Sequence, residues 1–164
     1  MSTAALVPVE EYLRLTGKPH AEYRDGVLHP KPIPTWSHGV LQAVLAALLR
    51  KLGLKAGSGI SVRVSERKIL IPDVLAARIA QEPYPTEPVL LCCEILSPED
   101  RIGALLAKCE EYHAWGVPFC WLVDPVKRAA WEYHSGGEPQ RVAETLRAGE
   151  IAVSLDELFS ALDE

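Results

Sequence analysis

The chain has 164 residues, 48% of them hydrophobic, which is enough apolar mass for the core of one domain. With 24% charged residues and a formal net charge of −5, the composition argues against a disordered chain and against nucleic-acid binding through bulk positive charge alone, but it does not exclude a local basic groove. The longest apolar runs are about ten residues, against the roughly 20 of a membrane span, and the N-terminus shows no signal peptide, so we expect a single cytoplasmic domain over residues 1–164.

Short elements separated by turns are predicted at the start of the chain. Residues 8–15 have the pattern of a short amphipathic helix. Residues 22–29 favour an extended arm with its turn signal at Asp25-Gly26. Residues 30–36 contain three prolines, and we expect them to be irregular because proline lacks a backbone donor and restricts the residue before it.

The clearest predicted helix begins at Ser37, its expected N-cap, and ends at the stop signal Gly53. His38 lies in the first turn, three and seven residues before Leu41 and Leu45, so it leans toward the buried side of the helix. The apolar residues recur at one-turn spacing, which is typical of a helix with one buried face: Val40, Leu41, Val44, Leu45, Leu48, Leu49 and Leu52.

Three extended segments follow this helix. Residues 59–65 alternate apolar and polar side chains, residues 65–68 form a polar turn, and residues 69–77 are the second predicted strand. After a proline-rich connection, residues 89–96 form the third strand. Because this strand is apolar on both faces, it fits a central position in a sheet that is covered on both sides.

The second half of the chain predicts a helix that Pro98 opens and that runs to about residue 115, two strands at residues 119–124 and 129–134, and a short closing helix at residues 153–162. The central order is therefore α-β-β-β-α-β with extra strands behind it, and the fold class is α/β with a mixed central sheet flanked by helices. The predicted apolar stripe of the helix after residue 98 consists of Ile102, Leu105, Leu106, Cys109 and Tyr112.

The four cysteines form no Cys-x-x-Cys pair, and three of them lie in dense apolar sequence. They therefore favour small buried side chains in a reducing compartment. Zinc ligation is the less favoured alternative because the metal-ligand spacing is absent. The cysteines are Cys92, Cys93, Cys109 and Cys120.

Two carboxylates lie where the sequence predicts burial. Asp73 falls within the apolar strand of residues 69–77, and Glu94 falls near the end of the strand of residues 89–96. A buried carboxylate without a partner costs several kcal/mol, so a cation, a protonated state or a metal ion must compensate it. Because the two strands are neighbours, the two acids could converge, and two converging oxygen ligands with room for water are the usual way to hold Mg²⁺.

Simpler interpretations of these acids stay open. Each carboxylate could pair with a nearby basic residue, or could protrude from a frayed strand end. A single acid in a strand favours this simpler interpretation, whereas two acids at this spacing favour a shared site.

An ordered set of motifs across most of the chain resembles the Uma-type putative restriction endonuclease family of bacteria, within the PD-(D/E)xK nuclease-like superfamily. Each motif alone is weak, but their combination from about residue 9 to residue 138 is specific. The superfamily core is α-β-β-β-α-β, in agreement with the order predicted from periodicity, and implies one restriction-endonuclease-like domain. The matching motifs are the IPDV of residues 71–74, the CEILSPED of residues 93–100, Lys108, the WGVPFCWLVDP of residues 115–125, the EYRDG of residues 22–26 and the helix that carries His38.

The resemblance implies the roles of five residues. Asp73 and Glu94 match the metal-binding acids of the superfamily. Its usual lysine, two residues after the glutamate, is replaced here by Leu96, and Lys108 on the following helix matches the displaced lysine of this family. The additional acid and the histidine that the family places near its site match Glu22 and His38.

Taken singly, three of these residues have more ordinary interpretations. Lys108 lies about 100° from the centre of the predicted apolar stripe, where a lysine is usually solvated. Outside this family, His38 would be a satisfied histidine at a helix start and Glu22 an exposed carboxylate.

The function that the resemblance implies is a Mg²⁺-dependent (or Mn²⁺-dependent) DNA endonuclease. Carboxylates would hold the metal, which neutralises the scissile phosphate and lowers the pKa of water, while a lysine offsets charge in the transition state. The alternative is a catalytically inactive binding or scaffold module of the same fold, which the acidic net charge favours. A homodimer that shares a groove is a further expectation, with residues 119–123 and 129–134 as its interface.

Overall fold

In the computed structural model, a mixed six-stranded sheet carries helices on both faces, and a smaller four-stranded sheet packs beside it. The structure describes residues 5–15 and 20–164. Residues 1–4, at the start of the N-terminus for which no signal peptide is predicted, lie outside the described residues.

The described residues form four α-helices and twelve strands. The helices are α1 (Val9–Leu13), α2 (Trp36–Lys51), α3 (Ile102–Trp115) and α4 (Leu155–Ser160), and a 3₁₀ turn covers Ala161–Asp163. The strands are β1 (Ala21–Arg24), β2 (Val27–Pro30), β3 (Lys55–Ser58), β4 (Val62–Ser65), β5 (Lys68–Leu70), β6 (Val74–Ala77), β7 (Leu91–Ile95), β8 (Phe119–Asp124), β9 (Ala129–Tyr133), β10 (Gln140–Arg141), β11 (Thr145–Ala148) and β12 (Ile151–Ser154).

The central sheet has the strand order β10-β9-β8-β7-β6-β3. Strands β7 and β8 are parallel and are joined through α3, whereas the other neighbouring pairs are antiparallel. The small sheet has the order β2-β1-β5-β4, and β11 pairs with β12. The α-β-β-β-α-β core is present as α2, β3, β6, β7, α3 and β8, which confirms the predicted fold class.

Strand β7 occupies the middle of the central sheet, as its apolar sequence predicts. Its alternate residues Leu91, Cys93 and Ile95 join the core on the α2 side, and Cys92 joins the core on the α3 side. Because side chains alternate along a strand, Glu94 projects toward α3 together with Cys92. A carboxylate is thereby directed into the layer between the sheet and a helix.

Helix α2 is capped by Thr35, whose side chain accepts a hydrogen bond of 3.1 Å from the backbone of His38. The prediction of Ser37 as N-cap is therefore wrong, because the helix begins one residue before that serine. Gly53 follows the helix with a φ of 92°, a conformation that suits glycine and ends the helix as predicted. One residue per turn faces the core: His38, Leu41, Leu45 and Leu49.

The predicted strand of residues 69–77 is two strands. Strand β5 belongs to the small sheet and β6 to the central sheet, and residues 71–73 link them, so Asp73 precedes β6 and does not lie within a strand. Pro72 explains the break, because it has no N–H for a sheet ladder.

The first core strand was also misassigned. Strand β4, within the predicted segment of residues 59–65, pairs with β5 in the small sheet, and β3 takes its place beside β6. Strand β3 escaped prediction because its residues, Lys55 to Ser58, have no alternating hydrophobic pattern.

Helix α3 begins at Ile102, four residues later than predicted. Before it, Asp100 closes a turn by accepting hydrogen bonds from the backbone and hydroxyl of Ser97. Ile102 is half-exposed, so it does not belong to the buried stripe. The buried residues of the helix are Leu105, Lys108, Cys109 and Tyr112.

All four cysteines are free and buried, which confirms their prediction as core thiols. Of the segments predicted as a dimer interface, Trp121, Leu122 and Ala130 are at most 2% exposed and lie in the core of this chain. Trp131 and Glu132 are partly exposed, and the homodimer stays a prediction. In the described part of the chain, no helix combines the length and the hydropathy that crossing a bilayer requires.

Replacing Thr35 with alanine removes the side-chain acceptor at the start of α2. We expect the free energy of unfolding, measured by urea denaturation, to fall by about 1 kcal/mol. The control is Ser37→Ala, which leaves the cap in place and should change stability by a few tenths of a kcal/mol. Equal losses in the two variants would contradict the assignment of Thr35 as the cap.

Candidate active site

A cavity of about 530 Å³ lies where the small sheet meets the central sheet. Ile33, which is 90% exposed, also lines it, so the cavity reaches the protein surface. We call it the site cavity. Its lining includes all five residues singled out in the sequence: Glu22, His38, Asp73, Glu94 and Lys108.

Five different elements bring these side chains together. Glu22 comes from β1 in the small sheet and Glu94 from β7 in the central sheet. Asp73 comes from the link between the two sheets, His38 from the first turn of α2, and Lys108 from the buried face of α3. All five are buried, at 2–7% exposure, so the solvated interpretation of Lys108 and the exposed interpretation of Glu22 are wrong.

Lys108 joins two of the carboxylates. Its Nζ atom lies 2.7 Å from Glu22 Oε2 and 2.7 Å from Glu94 Oε1. It also donates to the backbone oxygen of Ile71 at 3.3 Å. An ammonium has three N–H donors, so this lysine is fully engaged.

Asp73 binds a second lysine, Lys31, whose Nζ lies 2.8 Å from Asp73 Oδ1 and 2.6 Å from the backbone oxygen of Ile71. The other oxygen of Asp73, Oδ2, accepts a 2.8 Å hydrogen bond from the backbone N–H of Ile95 and lies 3.3 Å from His38 Nε2.

The backbone of one residue, Ile71, connects the two halves of the site. The carbonyl of Ile71 accepts hydrogen bonds from both Lys31 and Lys108, and its N–H donates to Glu22 Oε2 at 2.6 Å. Ile71 and Asp73 both belong to the three-residue link between β5 and β6. This short link therefore supplies one acid of the site and also binds both ammonium groups.

Burial governs the ionisation of Glu94. It raises the pKa of Glu94 to about 7, an effect that the Lys108 charge offsets only in part and that the Asp73 charge increases. Burial also acts to lower the pKa of Lys108, but the charges of Glu94 and Glu22 outweigh it and raise that pKa, so the amine stays protonated. Burial and the neighbouring Glu94 raise the pKa of Tyr112 well above its usual value, which keeps its hydroxyl a donor to Glu94 Oε1 at 2.7 Å.

Asp73 and His38 stabilise each other's charged forms. Burial acts to raise the pKa of Asp73, but His38 and Lys31 lower it below its usual range. Burial acts to lower the pKa of His38, yet its hydrogen bond and charge interaction with Asp73 raise it overall. Its other nitrogen, Nδ1, lies 3.2 Å from Gln42 Oε1, so both ring nitrogens face acceptors and the protonated ring can donate to both.

Two carboxylates, Asp73 and Glu94, could hold a divalent cation. Within residues 5–15 and 20–164, no group of three or more His, Cys, Asp or Glu side chains is placed to hold a metal ion, which gives the zinc interpretation of the cysteines no support. Mg²⁺ needs fewer protein ligands, because it keeps several waters and usually takes one or two carboxylates plus phosphate oxygens. The donor set therefore fits Mg²⁺ or Mn²⁺.

Both buried acids are also paired with lysines, Asp73 with Lys31 and Glu94 with Lys108. The simpler interpretation offered by the sequence, pairing with a basic residue, thus describes the protein without metal.

Three residues that contact the site were not predicted from the sequence: Lys31, Gln42 and Tyr112. Gln42 is four residues after His38, and Tyr112 is four residues after Lys108. Residues four apart share a helix face, so this spacing could have identified both. Lys31 lies between two prolines in a segment without periodicity, and no sequence signal distinguishes it.

Comparisons with known proteins give a consistent result. The family model Uma2, described as "Putative restriction endonuclease", matches residues 9–162. A crystal structure described as a putative nuclease belonging to DUF820 from Anabaena variabilis ATCC 29413 matches with a TM-score of 0.79 and 20% sequence identity, and the match covers 95% of this chain and 99% of that chain. At this identity the likeness shows the fold alone. No curated protein matches the chain.

Replacing Lys108 with methionine leaves Glu22 and Glu94 buried without their shared cation. We expect the free energy of unfolding to fall by roughly 3–5 kcal/mol in urea denaturation. Lys51→Met, at an exposed lysine of α2, is the matched control and should change stability by less than about 0.5 kcal/mol. A loss for Lys108→Met as small as that of the control would mean that the buried ion pairs do not stabilise the fold.

The raised pKa of His38 predicts a pH-dependent contribution to stability. Because its folded pKa lies above the unfolded value of 6.5, protonated His38 stabilises the fold fully below pH 6.5, and this contribution is lost as the pH rises through the folded pKa. The difference in unfolding free energy between wild type and His38→Gln should therefore be larger at pH 6 than at pH 9. A constant His38→Gln effect across this range would contradict the pairing with Asp73.

Proposed function

The chain belongs to the Uma2 family of putative restriction endonucleases, and we propose that it is a Mg²⁺-dependent DNA endonuclease that hydrolyses phosphodiester bonds. Mn²⁺ is expected to replace Mg²⁺.

The observation that carries the proposal is the convergence of Asp73, Glu94 and Lys108 on one cavity that reaches the surface. The two acids come from different elements, and Lys108 lies 2.7 Å from Glu94. Buried titratable groups that perturb one another in a cleft are typical of catalytic sites. In the family resemblance, Asp73 and Glu94 match the metal-binding acids, and Lys108 matches the displaced lysine.

Asp73 and Glu94 would hold the metal ion. When bound, Mg²⁺ would neutralise charge on the scissile phosphate and lower the pKa of a water molecule. Burial raises the pKa of Glu94 to about 7, and the positive charge of a bound metal ion would favour its carboxylate form, which is the form that binds a cation.

The other residues would position groups and move protons. Lys108 keeps its ammonium charge in a fixed place and can offset negative charge that develops on the phosphate. Glu22 holds Lys108 in that place. His38 orients Asp73 and can carry a proton, because its pKa lies above that of an ordinary histidine.

A second candidate function is an inactive binding or scaffold module of the same fold. The ion pairs favour it, since Asp73 and Glu94 each already have a lysine and the site is charge-compensated without metal. Under this alternative the protein would neither bind divalent cations at the site nor cleave DNA.

A cleavage assay distinguishes the two. Purified protein is incubated with plasmid DNA and Mg²⁺ or Mn²⁺, with and without EDTA. We expect metal-dependent nicking or linearisation, and a loss on the order of a thousandfold in Asp73→Asn and Glu94→Gln, because each removes a ligand of the ion that stabilises the transition state.

The matched controls are Asp156→Asn and Glu150→Gln, which make the same chemical changes at exposed carboxylates and should cleave at the wild-type rate. Cleavage that continues undiminished in both site variants would point to a contaminating nuclease. No cleavage by wild type, together with no binding of Mn²⁺, would support the inactive module.

A further inference from the structure

Lys31 places a second ammonium group in the site cavity, beside the acid that the proposed function needs for metal binding. Its Nζ atom contacts two oxygens, Asp73 Oδ1 at 2.8 Å and the carbonyl of Ile71 at 2.6 Å. Carboxylate and carbonyl oxygens are also the ligand types of hard divalent cations. Lys31 therefore occupies a position whose surroundings suit either an ammonium or a metal ion.

The two oxygens of Asp73 differ in their partners. Oδ2 accepts a hydrogen bond from the backbone of Ile95 and faces His38 Nε2, so the fold itself holds this atom. Among the described residues, the partner of Oδ1 is Lys31. Oδ1 is consequently the atom of Asp73 that a cation could reach, and the Lys31 ammonium lies beside it.

Lys31 is also the more exposed and the less fully bonded of the two lysines. Its side chain is 18% exposed, against 8% for Lys108. Lys108 has three acceptors, whereas Lys31 has two within the described part of the chain. A flexible four-carbon stem lets such an ammonium move toward solvent at low cost.

We propose that Lys31 is a positioning residue that neutralises Asp73 in the metal-free protein and competes with the divalent cation for Asp73 Oδ1. Metal binding then requires the Lys31 ammonium to move away, while Lys108 stays in place. The affinity of the site for metal is set by this exchange of one cation for another. The inference rests on the proposed function, because it assumes that Asp73 is a metal ligand.

The test is a calorimetric titration of the full chain with Mn²⁺ alone, without DNA. Lys31→Met removes the competing charge and should bind Mn²⁺ about tenfold more tightly than wild type or better, because a like charge a few ångströms from the ion is gone. Lys31→Gln keeps hydrogen-bonding capacity and should show the same gain, which covers the case in which the methionine variant does not fold. Lys31→Arg keeps the charge and should stay close to wild type.

Two controls make the result specific. Lys51→Met removes a distant lysine charge and should leave the Mn²⁺ affinity unchanged. Adding Asp73→Asn to Lys31→Met should abolish the gain. If Lys31 had a purely structural role, Lys31→Met and Lys31→Gln would lower the melting temperature without raising the affinity for Mn²⁺.

The outcomes separate this inference from the proposed function. Mn²⁺ affinities in Lys31→Met and Lys31→Gln that are equal to or weaker than that of wild type would overturn the competition while leaving metal binding intact. If wild type and every variant fail to bind Mn²⁺, the metal-dependent function is overturned and the role of Lys31 is overturned with it.

Discussion

Three carboxylates buried in one place are the constraint around which this protein is organised. Glu22, Asp73 and Glu94 are each at most 6% exposed, and without positive charge nearby they would cost several kcal/mol apiece. Two lysines supply that charge, and both contact the carbonyl of a single residue, Ile71. The three buried carboxylates are stable in the interior because the two lysines compensate their charge together, and no single ion pair does so alone.

This constraint also explains how the fold places the site. The chain passes from the small sheet to the central sheet through residues 71–73, and Pro72 prevents a continuous strand. Within the described ranges, the backbone of Ile71 in this link has no strand partner. Its N–H instead donates to the carboxylate of Glu22, and its carbonyl accepts from the ammonium groups of Lys31 and Lys108. The residues that break the strand are those that assemble the site, so the stability of the junction between the sheets and the chemistry of the site depend on the same contacts.

The sequence predicted the architecture better than the details of the site. Strong periodicity identified α2 and β7, and the family motifs indicated Glu22, His38, Asp73, Glu94 and Lys108, which the structure places around one cavity. Periodicity failed at β3, whose polar and small residues have no pattern, and at Lys108, which lies on the buried face of α3 because two carboxylates from distant parts of the chain receive it. Lys31 could not be found, since its role arises only when the link between the sheets brings Asp73 to it.

The metal site is tested most directly by a crystal of the protein soaked in Mn²⁺, with anomalous scattering used to locate the ion. We expect an anomalous peak within coordination distance of Asp73 Oδ1 and the Glu94 carboxylate. We also expect Lys31 to have moved away from Asp73 while Lys108 still bridges Glu22 and Glu94. At saturating Mn²⁺, the lack of a peak between the two acids, or an ion bound there with Lys31 still on Oδ1, would contradict the proposed site.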